Sequence, residues 1–557
     1  MKLTGAEIIV RCLERLGITT VTGIPGGSNL PMYDALYHST IRHVLARHEQ
    51  GAGFIAQGIA RSTGKPAVCL ATSGPGATNL ITAIADARLD SVPLIAITGQ
   101  VPLPMIGTDA FQEVDMHGLT IPVTKHTFLV RSAGDIAETI HEAFYIAASG
   151  RPGPVVIDIP KDIQSEAVDI TTWPEMKPLF REAEPSEADI RRIAEMIHCA
   201  ERPLLYIGGG IISSHASPLI EALSEKNSIP VTATLMGLGA YPPESPLYLG
   251  MLGMHGELST NMIIDEADLL LAFGVRFDDR ATGKVEAFSR HASIVHVDID
   301  HSEIDKIKQS NVSLIADIAD VLKKLVPRVN ESSRAEWRAR IHTLQRQYPP
   351  EDTGAYSPLH PLRFIRSLSD NAAPGTLVTT DVGQHQMWTA QRYTFRKPGT
   401  FLTSGGLGTM GFGLPAAIGA ALANPEETVI CISGDGSILM NIQELATLAD
   451  YDLNVKLFIM NNNHLGLVRQ QQELFYSGHL YASGFITSPD FAALGRGFGI
   501  RSITLDENSF TGEMLGEVLH SPGPCLIEVP VNSDINVMPM VPPGKSNREM
   551  IGGRTNG

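Results

Sequence analysis

The sequence predicts an α/β protein of three domains, each a doubly wound parallel sheet covered by helices. Three observations carry that reading. The chain has 557 residues, too many for one hydrophobic core. Each third alternates short apolar runs with helix-like segments, the pattern of parallel strands joined by crossover helices. Two proline-bearing stretches separate the thirds, TTWPEMKPLFREAEPSEA within 165–188 and QYPPEDTGAYSPLHP at 347–361. Domains are therefore expected at 1–165, 188–345 and 360–557.

The elements follow in chain order. MKLTGAEIIVRCLERLG reads as an amphipathic helix, because Glu7, Arg11, Glu14 and Arg15 stand where a signal peptide needs an apolar run. HVLAR reads as a strand opening into a helix of small and apolar residues, QGAGFIAQGIARSTG. PAVCLATS, GATNLITAIADARLD and PLIAITG read as strand, helix, strand. In the second third, RPLLYIGGG, DLLLAFGV and SIVHVDID are apolar runs ending in Gly, Val or Asp. In the last third, ETVICISGDG, the helix-like NIQELATLADYD and VKLFIMNNN repeat the scheme. Ligands of such sheets gather at the carboxyl ends of strands, where most of the notable polar residues fall.

Composition narrows the function. Hydrophobic residues are 43% and aromatics only 6%, so the cores rest on Ala, Val, Ile and Leu, as buried parallel sheets do. A net charge of −17 with no basic stretch argues against nucleic acid as a partner. Cys12, Cys69, Cys199, Cys431 and Cys525 form no CxxC, which suggests neither disulfides nor zinc. Cys69 and Cys431 sit in apolar runs and are expected in the core. No apolar run is long enough to span a bilayer, and the cytosol is the expected location.

One pair of motifs carries chemistry. Gly434-Asp435-Gly436 ends one expected strand, and Asn461-Asn462-Asn463 ends the next, with 24 residues between GDG and the asparagines. Two neighbouring strand ends would aim a carboxylate and an amide oxygen at one point. Mg²⁺ takes about six oxygens and shares them with phosphate ligands. The glycines let backbone approach a diphosphate. Alone, GDG would read as a turn; the pair at two strand ends is far more specific.

This spacing resembles the thiamine-diphosphate (ThDP) motif of thiamine-dependent enzymes. The resemblance implies Asp435, Asn462 and the backbone carbonyl of His464 as metal ligands. It implies Glu49, in HEQGAGF, as the glutamate that hydrogen-bonds the cofactor's aminopyrimidine ring and works best in an apolar pocket. A lone Glu there would otherwise read as an acid favoured by a helix dipole. HEQGAGF is no zinc motif, since no His follows at the HExxH position. Met410 matches the residue that props the cofactor in its bent form, although ordinary packing would also suit it. Further cofactor contacts are implied at Pro25, Gly26, Gln384, His385, Gly408, Ser437, Met440, Gly466 and Leu467. Gly406–Gly411 also matches GxGxxG, which leaves a nicotinamide dehydrogenase as a minor alternative.

The resemblance covers almost the whole chain and is nearest to the catalytic subunits of acetohydroxyacid (acetolactate) synthase. GIPGGSNLPMYDAL, ATSGPGATNL, GTDAFQE, RFDDR, DVGQHQMW and TSGGLGTMGFGLPAAIGA carry it. It implies decarboxylation of pyruvate and ligation of the two-carbon remainder to pyruvate or 2-ketobutyrate, in branched-chain amino-acid synthesis. It implies a pyrimidine-binding first domain, a central domain contacting a structural FAD, and a diphosphate- and Mg²⁺-binding third domain. The active site would lie between subunits of a homodimer or homotetramer, with a small regulatory subunit as partner. Arg280 would bind the second ketoacid's carboxylate, or pair with Asp278 or Asp279, or both. Phe111 and Gln112 would line the site, and Lys161 its mouth. FAD contacts are implied at Gly208, Gly209, Gly210, Thr234, Leu235, Met254, His255, Gly274, Arg276, Asp278, Arg280, Asp298 and Asp317. Retention of Glu49 argues against the related glyoxylate carboligase. A pyruvate oxidase with redox-active FAD and a non-catalytic cofactor-binding subunit are the other readings. Gln471 stands where most of the family carry Trp, the isozyme-I-like pattern, which predicts little bias for 2-ketobutyrate. Leu467 replaces a common Met and is expected to be nearly neutral.

Overall fold

The computed structural model describes residues 1–175, 184–351, 353–508 and 510–553. Part of the stretch 165–188 and Asp352 of the stretch 347–361 therefore lie outside the described residues. The first third holds strands β1 (Lys2–Thr4), β2 (Thr20–Gly23), β3 (Arg42–Leu45), β4 (Ala67–Ala71), β5 (Leu94–Gln100), β6 (His126–Leu129), β7 (Val155–Pro160) and β8 (Ala167–Asp169). The second holds β9 (Pro203–Ile207), β10 (Val231–Ala233), β11 (Tyr248–Met251), β12 (Leu269–Phe273), β13 (Ser293–Asp298) and β14 (Val312–Ile315). The third holds β15 (Leu377–Thr380), β16 (Phe401–Leu402), β17 (Val429–Gly434), β18 (Val455–Asn461), β19 (Arg501–Thr504) and β20 (Cys525–Pro530).

They make three six-stranded sheets, in the orders β3-β2-β4-β5-β7-β6, β11-β10-β9-β12-β13-β14 and β16-β15-β17-β18-β20-β19. Every pairing in the three is parallel. The expected α/β class with three parallel sheets is what the chain adopts. Central strands are buried and mostly apolar, LLLAF along its whole length and VVIDIP except for Asp158, because helices cover both faces. Cys69 and Cys431 lie in the core as expected.

Two details depart from the sequence pattern. The chain starts with β1 before its first helix, Gly5–Arg15, whose Thr4–Glu7 capping box sets the start. β1 pairs antiparallel with β8, Lys2 opposite Asp169, so residues expected to begin a linker are tied to the first domain.

The first and third domains meet along two helices, Glu49–Thr63 and Gly413–Ala423. The second is GLPAAIGAALA, buried over most of its length. Small residues let the two backbones touch. A Cβ at Gly58 would strike the carbonyl of Ala416, and one at Gly419 the carbonyl of Ile55. Phe54 and Phe412 meet edge to face, 5.3 Å between centroids.

Candidate active site

Each sheet has one interior place, away from its edges, where the strand order reverses. In the first it lies between β2 and β4, in the second between β9 and β12, in the third between β15 and β17. Helices leave such a pair towards opposite faces, which opens a crevice at the carboxyl ends. Pro25 and Gly26 follow β2, and Thr72 to Gly76 follow β4. Gly208–Gly210 follow β9, and Gly274–Arg276 follow β12. Asp381–His385 follow β15, and Asp435–Ser437 follow β17.

In the third crevice β17 and β18 are neighbours, Gly434 opposite Met460, so Asp435 and the asparagines emerge side by side. Asp435 is buried, and its Oδ2 has no hydrogen-bond partner. Burial pushes its carboxyl up to about 6 against backbone N–H bonds from Gly436 and Asn463. Asn462 Oδ1 accepts from His464 N at 3.1 Å, and Asn462 Nδ2 donates to Gln384 Oε1 at 2.9 Å. His464 Nδ1 lies 3.0 Å from the Asn462 carbonyl, so its imidazole folds back on its own turn. His385 is buried with an unpartnered Nε2, and burial pushes it down to about 3, which keeps it neutral. The glycines are required by packing. A Cβ on Gly434 would come within 2.8 Å of His385 Nδ1, and one on Gly436 within 2.9 Å of Leu465. Ser437 Oγ donates to the Val382 carbonyl at 2.9 Å and ties the two strand ends together.

The Met410 loop enters the same crevice. Asp381, wholly buried, accepts from Gly411 N at 2.7 Å and from Ser433 Oγ at 2.9 Å. Asp90 accepts from the amides of Gly405 and Gly406 at 2.9 and 2.7 Å. Arg61 ties Asp86 and Asp90 together at 3.0 and 2.9 Å. The amides of Gly406 and Gly411, the first and last residues of the GxGxxG match, are thus taken by carboxylates, which would repel a pyrophosphate. That removes the dehydrogenase alternative.

Glu49 is the first residue of its helix and half-buried. Asn79 Nδ2 donates to its Oε2 at 2.9 Å, and a Cβ on Gly76 would sit 3.2 Å from its Oε1. Gln112, at φ 62°, lies against Gly74, where a Cβ would come within 2.9 Å of it. Glu49 and Gln112 thus line one crevice. Among the described residues no hydrogen bond joins either to Asp435 or Asn462.

In the central crevice the two glycine turns pack on each other. A Cβ on Gly210 would come within 2.6 Å of Gly274 Cα, and Gly274 itself has φ 61°. Thr234 caps the turn that holds Leu235, and Asp317 caps helix Ile318–Leu325. Met254 N donates to the Arg280 carbonyl at 2.7 Å, which brings the His255 and RFDDR segments together. Arg276 donates to the Leu89 carbonyl at 3.0 Å, across to the first domain. Burial pushes Asp298 up to about 6. Asp278 caps its own turn, and the Arg280 guanidinium is exposed, 3.7 Å from Asp279 and 3.7 Å from Met254 Sδ.

Comparison with known proteins decides the family. Residues 3–119 match the model "Thiamine pyrophosphate enzyme, N-terminal TPP binding domain", 190–325 the central domain and 381–529 the C-terminal TPP binding domain. The chain is similar to the acetolactate synthase isozyme 1 large subunit of Escherichia coli, 55% identical over 99% of this chain and 98% of that protein. It is 46% identical to the isozyme 2 large subunit of the same organism, over 99% of each. A probable chloroplastic acetolactate synthase 2 of rice is also 46% identical, over 98% of this chain and 86% of its own length. The chain belongs to the acetolactate synthase large-subunit family.

The thiamine pyrophosphate domains of that family fit the crevices. The unpartnered Asp435 oxygen and His385 nitrogen both need an outside partner. Among the described residues no group of three His, Cys, Asp or Glu side chains is arranged for a metal. The expected set differs in kind, with one carboxylate, one amide and one carbonyl. The remaining expected residues lie on the open side. Phe111 is 88% exposed and Met440 51%, and Gly408, Lys161, Arg280 and Gln471 are exposed too. Sequence reasoning missed Asn79, Asp381, Asp90 and Glu444. Glu444 alone left a trace, as the one charged residue of the helix-like NIQELATLA.

Proposed function

We propose that this chain decarboxylates pyruvate and joins the two-carbon remainder to a second 2-ketoacid, giving 2-acetolactate from pyruvate or 2-aceto-2-hydroxybutyrate from 2-ketobutyrate. The reading is supported above all by the buried, unpartnered Asp435 oxygen beside the Asn462 turn, in a chain alike end to end to acetolactate synthase large subunits. ThDP, when bound, supplies the nucleophilic carbon and the electron sink. Asp435, the Asn462 amide oxygen and the His464 carbonyl would hold Mg²⁺. Glu49, held by Asn79, would bond the aminopyrimidine ring and keep a proton there. Met410, on a loop fixed by Asp381 and Asp90, would support the cofactor's bend.

Arg280, exposed at its side chain, would grip the acceptor's carboxylate with two of its guanidinium nitrogens. Gln112 and Phe111 would orient the ketoacid, Lys161 would draw anions to the mouth, and Gln471 would sit beside the acceptor's side chain. The glycine turns at 208–210 and 274 favour a flavin along the central crevice, held there as a structural FAD. Since Phe111 and Met440 are exposed while Glu49 is unlinked to Asp435, a second copy of the chain would close each site, as a homodimer or homotetramer. A small regulatory subunit and a cytosolic setting complete the proposal. The five cysteines are free, and no helix among the described residues is long and apolar enough to cross a membrane.

The test is to incubate the purified chain with pyruvate, ThDP and Mg²⁺, with and without FAD, and identify the product. Acetolactate supports the proposal. Acetate formed with consumption of an electron acceptor would overturn it in favour of an oxidase.

A further inference from the structure

Glu49 starts its helix, and the geometry of a first residue is set by the turn before it. That turn is held mainly from another domain. The Glu444 side chain, wholly buried, reaches it from the helix Glu444–Asp450. Glu444 Oε1 accepts from Arg47 N at 2.9 Å and from His48 N at 3.0 Å. Its Oε2 accepts from Thr447 Oγ1 at 2.7 Å. Gly51 must be glycine, since a Cβ there would strike Glu444 Oε1. Neighbouring contacts join the same two segments. Asn441 Nδ2 donates to Gln50 Oε1 at 3.3 Å, Tyr451 OH to the His43 carbonyl at 3.1 Å, and Arg47 pairs with Asp450. The helix's own cap, His48 Nδ1, serves only Gln50 N. The amides of Arg47 and His48 depend on Glu444.

We infer that Glu444 is a positioning residue for Glu49, a carboxylate of the diphosphate-binding half that fixes the turn from which the catalytic acid projects. The inference rests on the function proposed above. The chain runs from Asp435 through Met440 directly into Asn441 and Glu444. One segment therefore both follows the metal–diphosphate motif and anchors the acid. An unmade pair of part-buried N–H bonds would let the turn relax, and a shift near 1 Å at a reacting group costs on the order of 100-fold.

The experiment uses the full chain with E444A, E444D and E444Q, and D450A as a control at the exposed ion pair. Three quantities are read. They are deuterium uptake of residues 43–51 in the cofactor-free chain, the C2–H exchange rate of bound ThDP by NMR, and ThDP affinity. E444A and E444D should raise uptake in 43–51 and slow C2–H exchange by about 10- to 100-fold, with ThDP affinity within about threefold. E444Q keeps an oxygen for both amides and should stay within about threefold of the parent, as should D450A. If E444A does not fold, E444D decides. Unchanged exchange in E444D overturns the inference, as does E444Q behaving like E444A. A joint fall of exchange, ThDP affinity and thermal midpoint in E444D overturns it too, since the role is then general stability. If the parent chain makes no acetolactate, the proposed function itself fails; a working parent with an unaffected E444D defeats only the role of Glu444.

Discussion

Gln471 is exposed on helix Gly466–Phe475, which follows the turn at 461–464 proposed to hold the metal. Its amide gives a methyl group little to pack on. Q471W should therefore shift product towards 2-aceto-2-hydroxybutyrate by about 10-fold, since one methylene contact is worth roughly 1–3 kcal/mol. A competition assay with both acceptors reads the ratio, and an unchanged ratio would count against Gln471 as a specificity residue. Glu49 carries a larger effect. E49A should lower kcat by about 100- to 1,000-fold while thermal stability holds, read by steady-state kinetics and a melting curve. Turnover surviving E49A would falsify its assigned role. Both residues could be nominated from the sequence because each sits within a short stretch that resembles the family's pattern. Asn79, which holds Glu49, was not: its amide comes from a separate helix, and no local pattern couples the two.

Elements make two further predictions. Helices Glu49–Thr63 and Gly413–Ala423 touch backbone to backbone at Gly419, so G419A must push them apart. Overpacking of this kind costs about 1–3 kcal/mol, and the thermal midpoint should fall. A midpoint equal to the parent's would show that the contact can open freely. At the end of β7, Asp158 accepts from Thr98 Oγ1 at 2.6 Å and from Gln100 Nε2 at 2.9 Å. Gln100 also holds the Val114 carbonyl, beside the Phe111–Gln112 loop. Burial pushes Asp158 up to about 7. An unfolded Asp ionises near about 3.9, so the folded chain keeps a proton that the unfolded chain has lost between about pH 4 and 7. This group's contribution to stability therefore falls as pH rises through that window and is lost above it. D158N should flatten that part of the melting-temperature profile; parallel profiles for the two proteins would refute this. The strands were legible because parallel sheets impose apolar runs ending in turns. Glu444 was not legible as an anchor, because its partner amide is 397 residues away.

For the whole molecule, the proposed site draws Glu49 from one copy and Asp435 from another. E49A and D435A should each be inactive. Co-expressed in equal amounts, they should regain up to about a quarter of parental activity, because half of random dimers carry one intact site of two. No recovery in a mixed dimer shown to form would place the whole site within one chain. The interior reversal points show how one architecture, repeated, could serve the three binding tasks proposed for it. The pairing of β1 with β8 bears on a different matter, the order in which the molecule is made. The first domain starts and finishes at one seam, so it can close on a ribosome before the rest of the chain has emerged. The glycine-lined face of helix Glu49–Thr63 then waits uncovered until Gly413–Ala423 and Glu444 arrive. During synthesis the chain would therefore carry Glu49, its proposed catalytic acid, on a folded domain with an unfinished, sticky flank. Slow elongation through the central third would lengthen that exposure, and the nascent chain should bind chaperones most at that stage.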